Sequence, residues 1–128
     1  MFIRFVVHNL DVDSGRRQGL FQALDTLNLS GQLNGADKQA YFAARDWFRV
    51  NLKTPDSFAR ASRPHAKKVA LSWFKDTASE HIRQMYGMAE VLKSHEVAVE
   101  VLRTNRPGYV VYEDEYQIAA EPFTDTRT

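Results

Sequence analysis

Three short stretches of this chain carry side chains that could do chemistry. The first is His8-x-x-Asp11-x-Asp13, which places an imidazole and two carboxylates just after an apolar run. Such groups hold divalent cations in proteins, but this spacing matches no established metal motif. The alternative is an ordinary loop in which Asp13 and Ser14 satisfy the free amides of a following helix. We favour the loop, and we predict no metal site and no cofactor.

The second stretch is an acidic triplet, Glu113-Asp114-Glu115, flanked on both sides by alternating apolar and polar residues. Three adjacent carboxylates could bind a metal ion or supply a general base. The alternation predicts two strands that meet at the triplet, which would make it the tip of a hairpin. A tip is well solvated, so pKa tuning and exclusion of water are difficult there. We therefore expect a turn whose charges discourage edge-to-edge association.

The third stretch is basic. Between residues 45 and 75, eight Lys and Arg residues stand against two Asp residues, and Phe58 and His65 could stack with nucleic-acid bases beside them. The predicted ligand-binding residues are Arg45, Arg49, Lys53, Arg60, Arg63, Lys67 and Lys68. The alternative is a solvated helix face next to a long loop, residues 53–66.

Whole-chain totals exclude several kinds of site. The 128 residues include no cysteine, which rules out disulfides, thiolate catalysis and zinc–thiolate centres. No P-loop, G-x-S-x-G or G-x-G-x-x-G motif occurs. No apolar run approaches the roughly 18 residues of a membrane span. Residues 1–75 carry 12 basic and 6 acidic side chains, whereas residues 76–128 carry 5 and 10. We expect a cytoplasmic protein whose two halves pack together and intermix their charges.

The elements that position these stretches follow from periodicity. Apolar alternation predicts strands at 2–8, 67–74 and 97–105 and a terminal hairpin. Helical spacing predicts helices at 15–28 after a Ser14 cap, at 36–52, and from a Thr77–Glu80 capping box to Ser94. The order β-α-α-β-α-β-β-β predicts a single α+β domain over residues 1–122, with a largely antiparallel sheet. Residues 123–128 are expected to form a polar, frayed tail.

Two details of this fold bear on the candidate residues. The strand at 67–74 is expected to be buried on both faces, which would make Ser72 a packing residue. A two-residue turn at Asp114-Glu115 would pair Glu113 with Tyr116 across the hairpin. Because that turn lacks the usual glycine, a loop of three to five residues is an equal alternative.

The segment from Ala70 to Phe123 contains S-W-F-K, then A-x-x-H-I, then P-G-Y-V-V-Y-E-D-E-Y-Q-I-A-A-E-P-F. With R-F-V-V-H-x-x-D near the start, it resembles small bacterial proteins without a characterised activity. That resemblance implies a stand-alone domain and no particular function.

The chain also resembles ADP-ribosyltransferase-like domains and RNA 2′-phosphotransferases in the order of a few residues. In those enzymes an early Arg or His holds the dinucleotide, a serine on a later strand supports the site, and a glutamate stabilises the cation-like sugar. The matching positions are Arg4 or His8, then Ser72, then Glu113 or Glu115. Here, unlike in that family, two residues separate the glutamates from the apolar strand that follows.

These patterns favour a binding domain over an enzyme. Its predicted site is the basic face at residues 45–68, and its partner is an anionic ligand, a nucleic acid or a protein. The enzyme implied by the second resemblance is one alternative. Another is a structural module that forms a homo-oligomer through the edge of the terminal hairpin.

Overall fold

The computed structural model describes residues 1–55 and 69–128. In these residues the order of elements is the predicted one, which confirms the α+β class. The strands are β1 (Phe2–Val6), β2 (Leu71–Lys75), β3 (Glu100–Thr104), β4 (Tyr109–Glu113) and β5 (Gln117–Glu121). The helices are α1 (Leu20–Leu29), α2 (Gly35–Asn51) and α3 (Ser79–Ser94). No helix in the described ranges is long and apolar enough to cross a membrane.

The strands form one antiparallel sheet in the order β3-β1-β2-β5-β4. The basic first half contributes β1 and β2, which lie between β3 and β5 from the acidic second half. The two halves therefore share one sheet, and their opposite charges meet across it, as in the ion pair of Lys75 with Glu113 (2.6 Å).

The helices pack on one face of the sheet. Ile3 and Phe5 of β1 project to this face, because alternate residues of a strand point the same way. They meet the apolar stripes of the three helices, which are Leu20 and Leu24 of α1, Tyr41, Ala44 and Phe48 of α2, and Met85, Ala89 and Leu92 of α3. This is the main core.

The opposite face of the sheet carries a second apolar cluster. Its members are Phe2, Val6, Leu71, Trp73, Leu102, Ile118 and Ala120. Residues 122–128 are tied to this side of the protein, since Arg17 Nε donates to the Thr128 carbonyl (2.9 Å) and the Arg127 guanidinium binds Glu100. The tail is thus anchored at its end, and the prediction of a frayed segment at 123–128 is wrong.

The predicted start of α1 is also wrong. The helix begins at Leu20, with Gly19 as its N-cap, rather than at residue 15 after Ser14. Residues 10–17 instead fold back on themselves, because Leu10 pairs with Arg17 and the Asp11 carboxylate accepts from the Ser14 amide (2.9 Å). This local pairing removes residues 15–19 from the helix.

The capping box predicted for α3 does not form. Ala78 is the N-cap, and no side-chain cap hydrogen bond is present there. Glu80 turns along the helix and binds Arg83 (2.5 Å) instead of reaching back to the N-cap amide. The helix itself runs to Ser94 as predicted.

The terminal hairpin adopts the longer of the two predicted loops. Asp114–Tyr116 connect β4 to β5, and Glu113 pairs with Ile118 rather than with Tyr116. A register shift between Val110 and Tyr112 adds a bulge to β4. The two-residue turn is therefore wrong, and the three- to five-residue alternative is confirmed.

Candidate functional site

Ser72 is exposed, although it belongs to β2 in the middle of the sheet. Its neighbours Leu71 and Trp73 lie in the second apolar cluster, so alternation directs the Ser72 side chain to the helical face. The prediction that this strand is buried on both faces is wrong at this position. The helices leave a gap above Ser72, and the gap is a cavity.

This cavity, which we call the Ser72 cavity, has a volume of about 390 Å³. That volume falls within the usual range of small-molecule sites, roughly 300–1,000 Å³. Its walls include Phe21 of α1, Phe48 of α2 and Phe74 of β2. The Phe48 ring contacts the other two, with centroid distances of 5.1 Å to Phe21 and 6.1 Å to Phe74. The aromatic wall is thus fixed by mutual packing before any ligand arrives.

Three of the predicted binding residues line the Ser72 cavity. Arg45 and Arg49 lie on the second half of α2, and Lys53 follows its end. The spacing of four residues places Arg45 and Arg49 on one side of α2, as predicted, whereas Lys53 lies past the extended C-cap Leu52 and does not share that helix face. Arg49 is 70% exposed and pairs with Asp46 at 3.6 Å. The other four predicted residues, Arg60, Arg63, Lys67 and Lys68, lie outside the described residues.

Arg45 is the most confined of these cations. Its guanidinium carbon lies 4.6 Å from the centre of the Phe42 ring and 5.5 Å from that of Tyr41. Such stacking orients a guanidinium without using its N–H donors. The Arg45 Nε is buried and has no hydrogen-bond partner in the described part of the chain.

Gln117 closes one wall of the Ser72 cavity and is not among the predicted site residues. Its side chain is 2% exposed, and its Nε2 donates to the Lys53 carbonyl (2.5 Å) and to Asp114 (3.1 Å). The contact holds the end of α2 against the tip of the terminal hairpin. The sequence contains one indication of this role, because Gln117 directly precedes the apolar run I-A-A and is therefore expected to be buried. A buried side-chain amide is normally hydrogen-bonded to other parts of the protein.

The acidic triplet is a turn, as predicted. Asp114 accepts hydrogen bonds from the Tyr112 hydroxyl (2.8 Å) and the Tyr116 amide (2.9 Å). Partial burial raises the pKa of Asp114, but hydrogen bonds from Tyr116 and Gln117 outweigh it and leave that pKa below its usual value. Glu113 pairs with Lys75, while Glu115 is exposed. The three carboxylates therefore do not converge.

The first candidate stretch is likewise a loop. His8 and Asp13 are exposed, while Asp11 accepts from the Gln22 amide group (2.8 Å) and the Ser14 amide. The hydrogen bond from Gln22 is the main reason that the pKa of Asp11 is lowered. Among the described residues, no group of three or more His, Asp or Glu side chains could hold a metal ion.

The side chains matched to the ADP-ribosyltransferase pattern do not converge, although the Arg4 guanidinium reaches the backbone carbonyl of Ser72. Arg4 pairs with Leu102 across the strands, so its side chain lies on the face of the second apolar cluster. The Ser72 hydroxyl points to the opposite face, and the sheet separates the two. His8 is exposed in the first loop, Glu113 is paired with Lys75, and Glu115 is exposed at the hairpin tip.

No protein-family model matches this chain, and no curated protein or solved structure shows significant similarity to it. The resemblance of Ala70–Phe123 to small bacterial proteins stays a prediction.

Proposed function

We propose that this domain binds a small molecule with an anionic group and an apolar body in the Ser72 cavity. One observation carries the proposal: an exposed hydroxyl on a central strand forms part of an aromatic cavity that is also lined by Arg45, Arg49 and Lys53. A central strand position that faces a helical layer is normally covered by packing. Here that position is open, and cations surround the opening.

The two kinds of surface in the cavity suit two parts of one ligand. The rings of Phe21, Phe48 and Phe74 would bury an apolar group, at about 25 cal/mol for each Å² removed from water. The unsatisfied Nε of Arg45 would donate to an oxyanion, and hydrogen bonds between charged groups are roughly twice as strong as neutral ones. Of the predicted basic face at residues 45–68, the proposed site uses Arg45, Arg49 and Lys53, which line a cavity the size of a small ligand.

The proposal is tested by calorimetric titration with two matched probes. 1-Naphthyl phosphate has an aromatic body and a dianionic head, while 1-naphthol has the same body without the charge. We expect the phosphate to bind at least about tenfold more tightly, which corresponds to one charge-assisted contact of roughly 1.4 kcal/mol. Equal affinity for the two probes would contradict the proposed role of the cations.

Three variants test whether the probes bind in the Ser72 cavity. Arg45→Met keeps an apolar stem of similar length and should remove the preference for the phosphate. Ser72→Phe should fill the floor of the cavity and abolish binding of both probes. Arg83→Met is the control, because Arg83 is 73% exposed on α3 and does not line this cavity. Binding that survives Ser72→Phe in a folded protein would place the ligand elsewhere and end the proposal.

A further inference from the structure

Arg4 is a half-buried cation without a carboxylate partner in the described residues. Its guanidinium donates to two backbone carbonyls, those of Arg17 (2.7 Å) and Ser72 (3.5 Å), and its Nε is buried without a partner. Burial and, secondly, the charge of Arg17 lower the pKa of Arg4 to about 10. The negative charge of Asp11 raises the pKa of Arg4 in part, but the Asp11 carboxylate accepts its hydrogen bonds from Ser14 and Gln22. A partly buried charge in this state lacks the compensation that proteins normally provide.

Trp73 is a second unsatisfied donor on the same face. Ile3 pairs with Phe74, so the next step of the antiparallel ladder puts Arg4 beside Trp73. The indole is 1% exposed, and its Nε1 has no acceptor in the part of the chain that the structure describes. Buried indole N–H groups usually have one. Arg4 and Trp73 are thus neighbouring donors in the second apolar cluster.

A cavity of about 330 Å³ lies against this cluster, and we call it the Trp73 cavity. Trp73 and Leu102 line it from the sheet, and Arg106, Thr126 and Arg127 line it from the segments that follow β3 and β5. Trp73 belongs to the lining of both cavities, but the other lining residues differ, and the Ser72 and Trp73 side chains point to opposite faces of the sheet.

Positive charge exceeds negative charge around the Trp73 cavity. Arg17 and Arg127 share one carboxylate, that of Glu100. Arg106 pairs with Asp125 at 2.8 Å and also stacks on the Phe123 ring. Three guanidinium groups line the cavity, those of Arg103, Arg106 and Arg127, and Asp125 is the one carboxylate among its described lining residues.

We propose that the Trp73 cavity binds an oxyanion, a phosphate or carboxylate group of a small molecule. Arg106 and Arg127 hold the anion, and the Trp73 indole N–H donates to one of its oxygens. The excess of guanidinium groups over carboxylates in the lining favours an anion at this position. The indole nitrogen is closed to solvent, but the Arg106 and Arg127 side chains are 66% and 75% exposed and can move to admit the ligand.

The test follows the indole N–H resonance of Trp73 by NMR during titration with inorganic phosphate, at constant ionic strength maintained with chloride. The chain has two tryptophans, and Trp47→Phe assigns the two signals. We expect the Trp73 signal to shift and saturate, with a dissociation constant on the order of 1 mM for a few charge-assisted contacts. The Trp47 signal should stay in place, because Trp47 lies in α2 on the other face.

Variants separate this proposal from the first one. Arg127→Met and Arg106→Met alter exposed side chains, so they should preserve the fold and weaken phosphate binding at least about fivefold. Arg45→Met, which removes the first proposed contact, should leave the Trp73 response unchanged, as should Arg83→Met. Titration with acetate shows whether a carboxylate group binds as well as a phosphate.

Two results would overturn the inference. One is a Trp73 resonance that does not move up to about 50 mM phosphate, far above the expected dissociation constant. The other is a shift of the same size and midpoint in both Arg127→Met and Arg106→Met, which would show that these cations do not hold the anion.

Discussion

The Gln117 side-chain amide nitrogen lies 2.5 Å from the carbonyl oxygen of Lys53. This hydrogen bond spans 64 positions of the sequence and joins the tip of the terminal hairpin to the end of α2. Lys53 and Gln117 both line the Ser72 cavity, so the contact fixes the position of one cavity wall. A buried amide at this junction shapes the cavity without contributing charge.

Replacing Gln117 by leucine should lower the free energy of unfolding by about 1–3 kcal/mol. The change removes the hydrogen bonds of a buried amide and leaves the partly buried Lys53 carbonyl without this donor, and the loss of such a partner costs about this much. Urea denaturation measures the difference. Gln32→Leu is the matched control, because Gln32 is exposed and its side chain bonds only to Ser30 Oγ among the described residues. We expect that control to lie within about 0.5 kcal/mol of the parent. Equal effects of the two changes would contradict the connecting role of Gln117.

Gly108→Ala should be among the most destabilising single changes in the described chain. Gly108 has φ of +139°, and a Cβ added there would lie 2.0 Å from the Glu121 carbonyl oxygen. The close approach joins the start of β4 to the end of β5, and backbone atoms on both sides have no room to move. We expect a loss of more than about 4 kcal/mol or failure to fold, measured by thermal unfolding.

Gly87→Ala, the same type of substitution, should stabilise the protein instead of destabilising it. Gly87 lies within α3, and an added Cβ would meet no atom within 4 Å. Alanine in a helix interior is favoured over glycine by about 0.5–1 kcal/mol, so this variant should be more stable than the parent. Destabilisation by Gly87→Ala would contradict the open space beside Gly87 and the expected gain in helix propensity.

The order of elements was predictable because helical and strand periodicities are local. The ends of the helices were not. Ser14 and Thr77 are good N-cap residues, yet the pairing of Leu10 with Arg17 takes the chain before α1 into an extended loop. Glu80 binds Arg83 and is not available to the cap of α3. Local preferences of about 1 kcal/mol are easily outweighed by tertiary contacts.

The part of the candidate site that could be predicted from the sequence is the position of the basic residues on α2, because helical spacing alone determines it. Arg45 and Arg49 share a side of α2 because they are four residues apart, but Lys53 lies beyond the end of the helix and reaches the cavity from the segment that follows. The exposure of Ser72 depends on where the helices stop covering the sheet, which alternation along β2 does not encode. The contact of Gln117 with Lys53 depends on the sheet order, which brings β5 beside β2. Sequence periodicity assigns a residue to a face but does not show what covers that face.

Glu100 should control the attachment of the C-terminal segment. Its carboxylate binds Arg17 (2.8 Å) and Arg127, and the hydrogen bond from Arg17 is the main cause of its lowered pKa. Glu100→Gln should therefore loosen residues 122–128 and accelerate exchange of the Thr126 amide, which bonds to the Phe123 carbonyl. Hydrogen exchange by NMR measures this. Glu90→Gln on α3 is the control, because Glu90 is exposed and pairs only with Lys93 in the described residues.

Asp114 should make the stability of the protein depend on pH in the acid range. Its pKa in the folded protein lies below the usual 3.8, so its contribution is fully present above pH 3.8 and is lost as pH falls through the lower folded value. Because the carboxylate is partly solvated, we expect Asp114→Ala to cost about 1 kcal/mol at pH 7. Urea titrations of parent and variant should give a difference that shrinks below about pH 3.8. Glu115→Ala, at the exposed neighbouring position, should change little at any pH. A difference between parent and Asp114→Ala that stays constant from pH 7 into acid would show that the charge of Asp114 does not stabilise the turn.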